Sequence, residues 1–223
     1  PAFASMGGLG AVPGLSFNPM MLLHGEQDLE IKKAIPVEAE VETNGRVAGI
    51  YDKGKAALVV IETETKVKGE SDPLFVNRFS LFLRGEGGFG GDSGPAAGNA
   101  APDRAPDNVV ESPTIPQQAL LYRLSGDKNP LHADPGFAKM GGFDTPILHG
   151  LCSFGIVCKA VVDNALGGDT SKVARYQARF AGVFFPGETM VTSYWKDGNT
   201  ILVESKSKER GTAVISNAAI TVR

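Results

Sequence analysis

Two stretches of this chain carry the same succession of apolar and polar residues, and that repetition narrows the possible folds more than any other feature. The first, within residues 34–83, reads AIPVEAEV…DKGKAALVVIETETK…LFVNRFSLFL; the second, within residues 184–222, reads FFPGETMV…KDGNTILVESKSK…AVISNAAITV. Each has a proline beside a strand, a turn containing Lys-Gly or Asp-Gly, a long amphipathic strand and a final apolar strand. In the first copy Val37, Ala39 and Val41 alternate with Glu38, Glu40 and Glu42. That is the period-two pattern of a half-buried strand, predicted over 37–51. Strands over 56–68 and 74–83 follow it, and a weaker one over 28–35 precedes it. The second copy predicts strands over 173–185, 189–196, 200–208 and 213–222. Self-similarity of this kind implies two structural units of one design.

The segment ahead of the second copy is a helix candidate. Residues 147–166 are apolar, with Gly150 and Gly155 as the only breaking residues. Thr145 and Pro146 could supply the N-cap and first helical position, and Gly167 and Gly168 the end. A shorter helix is expected over 115–124. Ahead of the first copy stand only residues 1–21, small, Gly-rich and apolar, beginning at Pro1 in a run that reads as the interior of a longer polypeptide. The expectation is therefore that the first unit lacks its leading part. A helix followed by an antiparallel sheet that wraps it, stated twice, is the α+β double hot-dog arrangement. The expected organisation is an incomplete N-terminal unit over 1–84, a linker rich in Gly, Ala, Pro and Asp over 85–113, and a C-terminal unit over 114–223.

Composition excludes several classes of function. The chain has 223 residues, 42% hydrophobic and 21% charged, with a net charge of −3, an ordinary globular balance. That charge argues against a general nucleic-acid or membrane-surface binder and leaves room for a local basic patch. The longest apolar runs, such as 56–61, are too short to span a bilayer. Cys152 and Cys158 stand six positions apart in the expected helix, about 9 Å along its axis. That is too far to bridge, so both read as small buried apolar residues of a reducing compartment.

Chemistry concentrates in YRLSGDKNPLHADP, residues 122–135, where Asp127, Asn129, His132 and Asp134 lie close together and Gly126, Pro130 and Pro135 prevent regular structure. Turn formation explains these residues one at a time. It does not explain their place ahead of an apolar helix opening with PILHGL. A loop with Asp, Asn and His supplies acid and base groups. A helix start with a glycine in its first turn supplies a backbone N–H and the positive end of a dipole, here at Gly150. His149 is expected to brace the loop before the helix. The string GEGGFG, through Gly85, Gly87 and Gly90, matches a dinucleotide fingerprint in letters only, because GDSGPAAGNAAP cannot form the required helix after it. His132 and Asp134 lack the further ligands of a metal site, so neither metal nor cofactor is expected.

The motif YRLSGDKNPLHADPGFAKMGGFDTPILHGLCSFG resembles the hydratase 2 motif of the MaoC-like dehydratase family. It is most similar to the (R)-specific enoyl-CoA hydratase 2 domains of peroxisomal multifunctional enzymes. LLHGEQ, NRFSLFLRGEGGFGG and ARFAGVFFPGET extend the resemblance over essentially the whole chain. It implies a double hot-dog fold, a homodimer, either a standalone enzyme or a domain of a multifunctional polypeptide, and a peroxisomal setting in a eukaryote or a cytoplasmic one in a bacterium. It also implies Asp127 and His132 as the catalytic pair, Asn129 positioning water or substrate, and the Gly150 N–H facing a thioester oxygen. The substrate would be an acyl-CoA. His24, Gly25, Arg175, Arg179 and Phe180 are candidates for contacting substrate or CoA, Arg175 and Arg179 on one face of their strand for its phosphates. Three activities are weighed: hydration of a trans-2-enoyl-CoA to the (R)-3-hydroxyacyl-CoA in β-oxidation, thioester hydrolysis, and acyl-CoA binding without catalysis. The order Asp-x-Asn-x-x-His argues against hydrolysis.

Overall fold

In a computed structural model, residues 22–96 and 98–223 are described. The expectations for 1–21 and for an incomplete first unit fall outside them. The chain divides into two compact units. One holds the described residues up to 96 with Val173–Gln177; the other holds Gly98–Lys172 and Ala178–Arg223.

The first unit is built from β1 (Leu22–Ile31), β2 (Val41–Asp52), β3 (Ala56–Val67) and β4 (Pro73–Arg84). They pair antiparallel in the order β2-β3-β4-β1. Period-two alternation puts Ala57, Val59 and Ile61 of β3 into one buried cluster with Phe79, Leu81 and Leu83 of β4. On the strands' polar positions, Arg46 pairs with Glu62 at 2.7 Å, Glu62 with Arg78 at 2.6 Å, and Asp28 with both Arg78 at 3.4 Å and Arg175 at 2.6 Å. The strand expected over 37–51 starts only at Val41, and Val37 is fully exposed. Its partner β3 ends at Val67, opposite Val41, and past that point one bond, from the Lys68 N–H to the Glu40 carbonyl at 2.9 Å, closes the ladder. The strand expected over 28–35 starts earlier, because Leu22–Ile31 finds partners along β4.

The glycine string folds around a carboxylate. Asp52, at the end of β2, accepts the N–H groups of Gly54, Gly88 and Gly90 at 2.7, 2.9 and 2.7 Å. Those amides hold the exposed Asp52 carboxyl below its usual value. Among the described residues no helix directly follows the string.

The second unit contains β5 (Asn108–Pro113), α1 (Gln118–Tyr122), α2 (Pro135–Met140), α3 (Gly150–Ala165), the end of β6 (Val173–Phe180), β7 (Thr189–Asp197), β8 (Thr200–Ser207) and β9 (Ala213–Val222). Its strand order is β6-β9-β8-β7-β5. β1 to β4 thus stand in the same mutual order as β6 to β9, and the sequence repeat is a repeat of topology. The stretch 85–113 is not one linker: its first part belongs to the first unit, and β5 pairs along β7 from Asn108 opposite Tyr194 to Pro113 opposite Thr189. Trp195 Nε1–H donates to the Arg104 carbonyl at 2.9 Å and helps hold the approach to β5.

α3 buries Cys152, Ser153, Val157, Ala160 and Val161, an i, i+4, i+7 stripe, and packs on β5, β7 and β9. Gly167 and Gly168, with φ of 70° and 80°, close it; the Gly168 N–H reaches back to the Val162 carbonyl at 3.0 Å. The helix does not begin at Thr145–Pro146. Leu148 N–H donates to the Phe184 carbonyl at 2.7 Å, which holds 147–149 extended and moves the cap to His149. That bond also draws the chain away after Phe180, so the strand expected over 173–185 ends there. Among the described residues no helix is long and apolar enough to cross a membrane.

Ile215 of β9 is fully buried. Ile215→Ala removes apolar contact and leaves a cavity, so it should lower unfolding free energy by about 2–5 kcal/mol. The denaturant midpoint should fall with little change in slope.

Candidate active site

The loop between α1 and α2 is a series of side-chain-capped turns. Asp127 Oδ1 accepts the Asn129 N–H at 3.1 Å, and Asn129 Oδ1 accepts the Leu131 N–H at 3.0 Å. Asn129 thereby caps a single 3-10 turn, Pro130–His132, with proline at its first position. Asp134 caps α2, accepting from Gly136 and Phe137 at 2.7 and 3.0 Å. Of the two carboxylates flanking His132 in sequence, Asp134 is therefore structural, while Asp127 keeps an oxygen available.

The turn carries His132 inward until it is 9% exposed. Its Nδ1 lies 2.8 Å from the Ile147 carbonyl. A carbonyl only accepts, so Nδ1 carries the proton and Nε2 the lone pair. Burial lowers the His132 pKa, with the Asp127 charge opposing that shift and Arg123 adding to it. The result is a neutral imidazole with a free basic nitrogen near neutral pH.

His149 lies against it. The two rings stack with centroids 3.8 Å apart and planes 29° from parallel. His149 Nε2 donates to the Asp127 carbonyl oxygen at 3.2 Å, and Tyr122 covers it at 4.8 Å. Burial, then the neighbouring His132, push the His149 pKa down to about 4. Asp127, His132 and His149 each bring a ligand-type atom within 4.8 Å of the others.

His149 caps α3 without a side-chain hydrogen bond, so the first amides of the helix, Gly150's among them, are left for an outside acceptor. A Cβ on Gly150 would lie 3.3 Å from the Phe180 ring, so any larger residue would press on that ring. The structure thus gathers Asp127, His132, Gly150 and Phe180 in the second unit, with the exposed Asn129 in the same loop. His149 and Tyr122 complete the group. Sequence reasoning gave His149 a bracing role without its ring contact and did not include Tyr122; aromatic residues on both sides of the loop were the available signal.

The remaining candidates are placed as follows. His24 and Gly25 lie on β1 in the first unit. His24 Nε2 lies 3.1 Å from the Glu26 carbonyl. Gly25 sits at a bulge where a Cβ would meet the Phe82 ring at 2.4 Å. Arg175 is committed to Asp28 by two bonds, 2.8 and 2.6 Å, while Arg179 is exposed in the second unit. Cys152 and Cys158 are unbridged, and burial raises both thiols to about 11.

The chain is similar to known proteins over most of its length. Residues 98–218 match the model of the MaoC like domain, and residues 1–85 match that of the MFE-2 hydratase 2 N-terminal domain. A probable enoyl-CoA hydratase 2 of Dictyostelium discoideum is 45% identical over 218 residues, covering 95% of this chain and 73% of that protein. The full-length peroxisomal multifunctional enzyme type 2 of Drosophila melanogaster superposes with a TM-score of 0.84 at 37% identity, over 100% of this chain and 40% of the other. A Mycobacterium tuberculosis protein described as a double hot-dog fold, 12% identical with a TM-score of 0.59, shares the fold.

The histidines make stability depend on pH in a defined direction. The folded pKa of His149, about 4, lies below its ordinary 6.5, and that of His132 is also lowered. The unfolded chain therefore takes up protons first as pH falls. Their contribution is complete above about 6.5 and is lost as pH drops toward 4. Urea midpoints measured from pH 7 to 5, above most carboxylate titration, should fall, and His149→Gln should flatten the fall.

Proposed function

The chain belongs to the MaoC-like family, and from that premise we propose that it is a hydro-lyase adding water across trans-2-enoyl-CoA to give (R)-3-hydroxyacyl-CoA in fatty-acid β-oxidation. The observation that carries the reading is the fixed tautomer of His132, whose Nδ1–H is held by the Ile147 carbonyl, beside Asp127 and the start of α3. Relatives named as enoyl-CoA hydratase 2 support the substrate class.

Hydration puts a hydroxyl on C3 and a proton on C2. A water held by the Asp127 carboxylate gives a proton to His132 Nε2 as its oxygen bonds to C3. Electrons of the C2–C3 bond move onto the thioester oxygen, forming an enolate. The Gly150 N–H donates to that oxygen, a contribution of about 3 kcal/mol on the scale of single oxyanion-hole donors. Imidazolium then returns the proton to C2, so the enzyme ends unchanged. The Asn129 amide group donates to the water or substrate, and Phe180 lines the approach to Gly150. No metal or cofactor enters this sequence of steps.

Within the second unit Arg179 remains our candidate for contacting the rest of the acyl-CoA, and His24 and Gly25 remain candidates of the first unit taken by itself. The double salt bridge to Asp28 makes Arg175 the less available of the two arginines. We further propose a homodimer, a place within or beside a multifunctional polypeptide, and a peroxisomal setting in a eukaryote or a cytoplasmic one in a bacterium. The peroxisomal multifunctional relative supports the second and third of these.

Loss of enoyl absorbance with trans-2-decenoyl-CoA tests the reading. Asp127→Asn should lower kcat by roughly 10²–10⁴, the usual worth of general acid–base assistance, with acyl-CoA affinity largely kept. An (S)-specific dehydrogenase should refuse the product. Hydration by Asp127→Asn at the parent's rate would refute the role given to Asp127 in holding and activating the water. Binding of acyl-CoA by a parent that hydrates no chain length would favour the non-catalytic module instead.

A further inference from the structure

We infer that His149 is a positioning residue that holds both members of the Asp127–His132 pair, one by a hydrogen bond to its backbone and the other by stacking on its ring. The inference deepens the hydratase reading and rests on it for its kinetic part.

The geometry asks two things of one side chain. A planar ring lies 3.8 Å from the His132 ring, nearly parallel to it. An N–H on the same side chain reaches the Asp127 carbonyl oxygen at 3.2 Å. Phenylalanine could supply only the first contact, and glutamine only the second. Histidine supplies both, and it does so while 1% exposed and with its Nδ1 buried without a partner among the described residues. A buried acceptor left unbonded is unfavourable for folding. Its retention here is accounted for by what the rest of the ring does.

The chain around His149 sharpens the argument. Ile147, two residues earlier, fixes the His132 tautomer through its carbonyl. Leu148 is anchored to Phe184. Gly150, one residue later, opens the helix. Four consecutive residues thus set the base's tautomer, the base's ring plane, the carboxylate's backbone and the amide donor. The stacked face resists tilting of the His132 ring about Cβ–Cγ, and the Nδ1 bond fixes the ring within its plane, so together they keep Nε2 aimed. The titratable groups acting on the two rings are Asp127 and Arg123 from the loop side, Tyr122 from α1, and each ring on the other. His149 is uncharged near neutral pH, so its effect on His132 there is cover and alignment rather than repulsion.

Two variants separate the two contacts. His149→Phe keeps the stack and loses the bond to Asp127; His149→Gln keeps a donor and removes the stack. Both should lower kcat on trans-2-decenoyl-CoA at least tenfold with KM within about twofold. In His149→Gln the acid limb of the kcat/KM profile should move to higher pH, as water reaches His132 and its pKa returns toward its ordinary value. In His149→Phe that limb should stay in place. Nitrogen-15 NMR titration of the His132 ring reads tautomer and pKa without any need for turnover. It should show an Nδ1–H ring in the parent and a raised pKa in His149→Gln only. An inactive parent with this NMR pattern would reject the hydratase reading and leave the positioning role standing. Variants that keep parental kcat and an unchanged His132 titration would overturn the inference, as would a His132 titration altered equally by both. If one variant fails to fold, the other still decides between stacking or hydrogen bonding and neither.

Discussion

A buried hydrogen bond, from His132 Nδ1–H to the carbonyl of Ile147, joins the two pieces on which the site depends. One piece is a loop held by its own side-chain caps and unable to bury itself. The other is the extended lead-in to the one long helix of the second unit. Asn129 and Asp134 cap locally and reach nothing distant, so the loop's orientation rests on this bond together with the His149 N–H donated to the Asp127 carbonyl. With it, the most reactive side chain of the loop has a defined tautomer and a defined neighbour. The bond is buried, where competition from water is small and directionality counts most.

What makes the lead-in rigid is the strand repeat. Leu148 is tied to Phe184 in the chain that leaves β6, and α3 packs on β5, β7 and β9. The same strand order in the first unit yields a sheet with a different use of its polar positions: alternating arginines and acids bond across β2, β3, β4, β1 and Arg175. Each such partly exposed pair adds little to stability. Their joint effect is to fix side chains that would otherwise be long, mobile cations, which is how Arg175 became committed to Asp28.

Much of this was legible in the residues themselves. The repeat announced two units of one topology, and the alternating and apolar runs located five of the nine strands among the described residues closely, because both depend on burial patterns written locally. Strand ends were less legible. Whether 37–40 or 181–185 pairs is decided by how far the partner strand runs, and a partner's length is not a local property. β5 was hidden in a stretch rich in Pro, Asp and Ala because its pairing with β7 supplies what its own composition does not. The site was legible in its residue types, but Asp127 and Asp134 look alike in sequence. Only the turn geometry shows that one is a helix cap. The aromatic contact of His149 with His132 joins positions seventeen residues apart, and no periodicity reports such a contact.

The glycine-rich run after β4 has a consequence for how such strings are interpreted. Its amides converge, as they would around a phosphate, but the acceptor at their centre is the Asp52 carboxylate. The chain carries its own counter-anion. Each of those N–H groups is already occupied, and the fixed negative charge repels a second anion of the same kind. A nest of amides is therefore a general solution for gathering negative charge, and whether that charge arrives with a ligand or is encoded at the end of a neighbouring strand decides whether the loop binds or merely holds its shape.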